Sequence, residues 1–152
     1  MIRGLAALAF VTVAASAAAA TGVRWTPLAQ GTTEPSGKQA PVGYLAVTRA
    51  QERPWSARLT GSDRTTLQRL NLATSAAVAV FLDGMPCASK VAVAGVTRAG
   101  STLTVHIAYT PPPVGVGMCV RTSTPYVVLA VARGSLGRPV PARVAVVARA
   151  RA

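Results

Sequence analysis

Any chemistry in this chain has to be built from four carboxylates, one imidazole and two thiols. The carboxylates are Glu34, Glu52, Asp63 and Asp83. Hydrolysis by a paired acid and base needs two of them facing each other across a substrate. The sequence places them in a Pro/Gly-rich stretch, in two helical segments and in an Asp-Gly turn, where solvation or capping is the ordinary role. His106 is the only histidine, which excludes a His-rich metal site. A Ser-His-Asp triad would need His106 as its base, and no serine stands in a Gly-x-Ser-x-Gly elbow. No Gly-rich phosphate loop joins a strand to a helix. The residues point to a protein that is not an enzyme and that carries no cofactor and no metal.

The two thiols are Cys87 and Cys119, without the Cys-x-x-Cys spacing of redox catalysts or thiolate zinc sites. Their meaning depends on the compartment, which the first residues address. Arg3 precedes an apolar run from Leu5 to about Ala15, and small residues follow from Ser16 to Ala20. This is the pattern of a signal peptide cleaved near Ala20. The run is too short for a bilayer span of about 20 residues, so no transmembrane anchor is expected. Nor does a cysteine near the cleavage site offer a lipid anchor. The mature protein is expected to be secreted, periplasmic or held in the cell envelope. In that setting an even cysteine count reads as a Cys87–Cys119 disulfide, the alternative being two buried thiols.

The chain has 16 basic and 4 acidic side chains, a net charge of +12, and only Lys38 and Lys90 are lysines. Such an excess suits an anionic partner or a solvated surface. The arginines are scattered singly, which favours weak, unspecific polyanion binding over a specific nucleic-acid site.

Residues 21–41 are rich in Gly, Pro, Thr and Ser and read as an extended lead-in, with Trp25 anchoring it to the core. A strand is expected at 42–47. Thr48 and Gln51 have the form of a capping box for a helix over 49–59, which Pro54 breaks or kinks. A second short helix is expected over 63–71, after a Gly61-Ser62 turn. The continuous apolar runs at 76–82 and 126–131 read as buried strands. Strands are also expected at 90–97, 102–109 and 142–148. In the strand at 102–109, Leu103, Val105, Ile107 and Tyr109 oppose Thr102, Thr104 and His106. Pro111, Pro112 and Pro113, followed by Gly115 and Gly117, make a stiff-then-flexible loop. That loop is the candidate partner-binding surface, since a Pro-rich segment presents a preformed extended backbone. If 76–82 and 126–131 are sheet neighbours, Cys87 and Cys119 approach the same end of that sheet.

The elements specify one α+β, mainly β domain over 42–152. Its form is an antiparallel sheet or open sandwich, with one or two short helices in the N-terminal half. Short connections suit antiparallel hairpins.

Residues 76–133 resemble the C-terminal domain of the PrcB family, exported bacterial proteins that accompany and stabilise a secreted protease. The resemblance rests on a buried strand ending in a small turn at 77–86 (AVAVFLDGMP) and on the strand, turn and return strand at 90–109. It includes the Pro/Gly loop at 110–118 and the Ser123-Thr124-Pro125-Tyr126 entry into the next strand. Where members carry a Gly-Gly-Tyr-like turn, this chain has residues 85–89 (MPCAS). The resemblance implies a non-catalytic, monomeric, exported binding module that acts as accessory to another exported protein, a protease. The alternative is a basic surface or adhesive protein that binds anionic polymers or lipids.

Overall fold

The computed structural model describes residues 19–85, 90–111, 113 and 123–151. Residues 1–18, Cys87, Cys119, Pro112, Gly115 and Gly117 lie outside the described residues. The expectations of a leader and of a Cys87–Cys119 disulfide, and most of the proline loop, therefore fall outside what the structure describes. Pro111 and Pro113 are exposed. Among the described residues no helix is long and apolar enough to cross a membrane.

In chain order the elements are β1 (Thr21–Gly22), β2 (Trp25–Thr33), β3 (Val42–Ala46), α1 (Arg49–Ser56), α2 (Gly61–Gln68), β4 (Ser75–Phe81), β5 (Lys90–Ala99), β6 (Thr102–Thr110), β7 (Thr124–Ala132), α3 (Arg133–Leu136) and β8 (Arg143–Ala150). They form two four-stranded sheets, ordered β1-β5-β6-β8 and β2-β7-β4-β3. The helices α1 and α2 cover the outer face of the second sheet, so the order of layers is helices, sheet, sheet. The α+β, mainly β expectation holds in its open-sandwich form.

This layering explains why β4 and β7 are apolar at nearly every position. Ala76, Val78 and Val80, with Val127, Leu129 and Val131, turn toward the first sheet. Ala77, Ala79 and Phe81, with Tyr126 and Val128, turn the other way, onto Trp55, Leu59 and Leu67. A strand buried on both faces has no polar face to alternate with. The two strands are antiparallel neighbours, from Ser75 opposite Ala132 to Phe81 opposite Tyr126. The first sheet has one wet face, and β6 alternates accordingly: Leu103, Val105 and Ile107 are buried while Thr102, Thr104 and His106 are half-buried on the outside.

Four features differ from expectation. Residues 21–41 are extended but are no mere lead-in. The Val23 N–H donates to the Val96 carbonyl, and the Ala132 N–H then donates to that of Arg24. The chain thus switches sheets between these residues and runs on as β2 along β7. Trp25 packs on the core as expected. Second, β6 and β8 pair in parallel. A hairpin is ruled out because the chain leaves for the other sheet as β7 before it returns as β8. Third, Gly61 and Ser62 open α2 rather than preceding it, because Thr60 caps the helix with its side chain. Fourth, α3 adds one helical turn to the C-terminal half. The Thr48–Gln51 capping box is present, and α1 carries Pro54 without splitting.

The two sheets pack edge against edge where β3 meets β8. A Cβ on Gly43 would lie 2.3 Å from Val144 Cγ1, so β3 packs against β8 there because residue 43 has no side chain. At the opposite seam, between β2 and β5, the described residues leave a groove.

Candidate functional site

Three of the four carboxylates are bound into the structure. Asp83 is buried at the end of β4. It accepts hydrogen bonds from the Ser36 N–H at 3.1 Å, the Thr124 hydroxyl at 3.1 Å and Arg58 at 3.3 Å. Burial alone would raise its pKa; the Ser36 and Thr124 hydrogen bonds and the Arg58 charge outweigh that and hold it below the usual carboxylate range. The Arg58 guanidinium also lies 4.0 Å from the Phe81 ring centroid. Asp63 accepts from the Tyr126 hydroxyl, which in turn accepts from the Thr60 N–H at 3.2 Å. Burial and the Asp63 hydrogen bond push the Tyr126 pKa up. Glu52, 5% exposed, pairs with Arg49. Glu34 is exposed. His106 holds Thr97 Oγ1 at 2.9 Å on the outer face of the first sheet.

The arginines have a role that sequence reasoning missed. Arg49, in the first turn of α1, donates to the carbonyls of Leu67, Gln68 and Leu70 at the end of α2. Arg64 of α2 donates to Ser56, Ala57 and Leu59 at the end of α1. Each helix thereby satisfies the orphan carbonyls of the other, and each places a cation at a negative helix end. Arg133 bonds the Leu72 carbonyl, and Arg98 bonds those of Gly100 and Pro139. No local sequence pattern signals such pairings, which are set by tertiary packing.

The open seam forms an apolar groove of about 360 Å³, lined by Trp25, Pro27, Leu28, Val93, Val127 and Leu129 among others. Its shape follows from irregularities on both rims. The register of β2 shifts between Pro27 and Ala29, and that of β5 shifts between Val93 and Gly95. A bulge bends and twists its strand, so two facing bulges hold the edges apart. Pro27 cannot donate to a ladder, which suits an edge strand. Across the gap, Gln30 Nε2 donates to the Val91 carbonyl at 3.1 Å. β1 pairs with β5 at Thr97 and Arg98, and the Val23 N–H reaches the Val96 carbonyl. Among the described residues no strand pairs with the remainder of that β5 edge, over residues 90–95. The proline loop leaves β6 close by, because Lys90 pairs with Thr110 and Pro111 follows.

No protein-family model, curated protein or solved structure matches this chain.

Proposed function

We propose that this chain is an exported, non-catalytic binding domain that receives an extended segment of another exported protein, by its resemblance to PrcB a protease. The observation that carries this reading is the β5 edge, left without a paired strand among the described residues, beside the apolar groove. An unpaired strand edge offers N–H and C=O groups to an incoming strand, and a groove next to it takes alternate side chains. Each apolar side chain that enters contributes about 1.5–3 kcal/mol from burial. Two features support the reading. The buried carboxylates are engaged in holding the fold, and the start of the proline loop flanks the groove.

The test is capture from native secretions on the immobilised mature protein, in parallel with a Pro27→Asp variant that sets a charge at the exposed rim of the groove. The proposal expects a protease retained through a high-salt wash by the wild type and lost by the variant. Capture of polyanions alone, eluted by salt, would favour the charge-driven alternative.

A further inference from the structure

We infer that the end of the domain formed by residues 132–143 and the start of β2 binds acidic residues of the segment lying in the β2/β5 groove. The ligand class is then an extended peptide in which apolar residues adjoin carboxylates. This rests on the binding-domain reading above and specifies its partner.

The basis is the placement of charge along β7. Glu34 lies just past Thr33, which pairs with Thr124; Asp83 bonds Thr124, and Asp63 bonds Tyr126. Three of the four carboxylates thus sit at the start of β7, and the fourth, Glu52, is buried against Arg49. The nine residues of β7 carry the chain about 26 Å to Ala132. Five arginines gather there. The Arg24 carbonyl accepts from the Ala132 N–H and the Ser135 hydroxyl. Arg133 begins α3. Arg98 bonds the Pro139 carbonyl and lies against Gly137. Arg138 adjoins Gly137 and Pro139 in sequence. The Arg143 N–H bonds the Ser101 carbonyl, next to Gly100, whose carbonyl takes Arg98 Nε. The distance to the three carboxylates exceeds the Debye length of about 8 Å at physiological salt, so they do not neutralise this end. The carbonyl bonds of Arg98 and Arg133 fix two guanidinium groups in place without cancelling their charge. Arg24, Arg138 and Arg143 are exposed.

The surface is concave. A cleft of about 640 Å³ is lined by Arg24, Trp25 and Ser75, and one of about 660 Å³ by Arg133, Arg138 and Val140. Guanidinium groups beside such clefts can meet carboxylates two hydrogen bonds at a time. Trp25 lines both the first cleft and the apolar groove, so the two adjoin at this side chain. A bilayer fits this surface less well. Interfacial docking needs apolar side chains to insert, and among the described residues Val140, at 40%, is the one large hydrophobic that is exposed.

The test uses two labelled peptides, one alternating Val and Glu and one with Gln at every Glu position. Each is titrated by fluorescence anisotropy onto the mature protein. The Glu peptide should bind in a salt-sensitive manner and the Gln peptide at least about tenfold more weakly. The double variant Arg24→Gln/Arg138→Gln should lose a similar factor, with its melting temperature unchanged. Arg149→Gln, at the far end of β8, should change little. Equal binding of the two peptides would overturn this inference and leave the groove reading standing; failure of both peptides would overturn the two together. Equal loss with Arg149→Gln would reduce the effect to net charge and overturn it. Vesicles of phosphatidylglycerol or an RNA homopolymer competing through Arg24 and Arg138 more strongly than the Glu peptide would replace this partner with theirs.

Discussion

Gly31 and Tyr126 stand opposite each other on β2 and β7, and the phenol lies over the glycine. A Cβ on residue 31 would come within 2.5 Å of the Tyr126 hydroxyl oxygen and 3.2 Å of Asp63 Oδ2. Gly31→Ala is therefore expected to displace the phenol from its bonds to Asp63 and Thr60. The expected cost is about 1–3 kcal/mol, read as a lower melting temperature. An unchanged melting temperature would show that the ring can shift freely.

Tyr126 is expected to contribute to the alkaline limb of stability. Its pKa in the fold is raised above the ordinary 10.0, chiefly by burial and then by Asp63. A group whose folded pKa is raised stabilises fully below its unfolded value and loses that contribution as pH rises through the folded value. Denaturant unfolding should therefore show stability falling above about pH 10, a loss that Tyr126→Phe should reduce.

Asp83 has the opposite sign. Its folded pKa is lowered, so its contribution is present above the unfolded value and lost as pH falls through the folded one. Asp83→Asn leaves Arg58 without its counter-charge and should cost about 1–3 kcal/mol at neutral pH. Acid titration of the variant should show a shallower decline than that of the wild type.

Much of the second sheet was legible because β4 and β7 are buried on both faces and their residues are nearly all apolar. β2 was not. It is an edge strand with a bulge, and Thr26, Pro27 and Thr32 are exposed, so no alternation survives to mark it. The parallel pairing of β6 with β8 was hidden because it depends on the sheet that β7 joins. The carboxylates' positions near turns and helix starts suggested solvation or capping, which misses the burial of Glu52 and Asp83 against Arg49 and Arg58, because that burial is set by tertiary packing. Trp25 was readable as an anchor, but the groove beside it was not, since its walls come from strands in different sheets. The grouping of Arg24, Arg98, Arg133, Arg138 and Arg143 was equally invisible, because in sequence they are dispersed.

The reciprocal arginine caps predict a local effect. Arg49→Gln or Arg64→Gln should each destabilise by about 1–2 kcal/mol, through carbonyls left without a donor. Native-state hydrogen exchange should report faster opening across 49–68 while β4 and β7 keep their protection. Uniform loss of protection over both sheets would mean that the helices do not open as a separate unit.

The central claim is that a partner segment adds to the β5 edge. Amide hydrogen exchange over residues 90–95, compared with and without the captured protein or the Val/Glu peptide, tests it most directly. Strand addition predicts that these amides slow markedly in the complex while those of α1 and α2 do not change. Protection that maps to the helices or to the outer face around His106, with residues 90–95 unaffected, would contradict it.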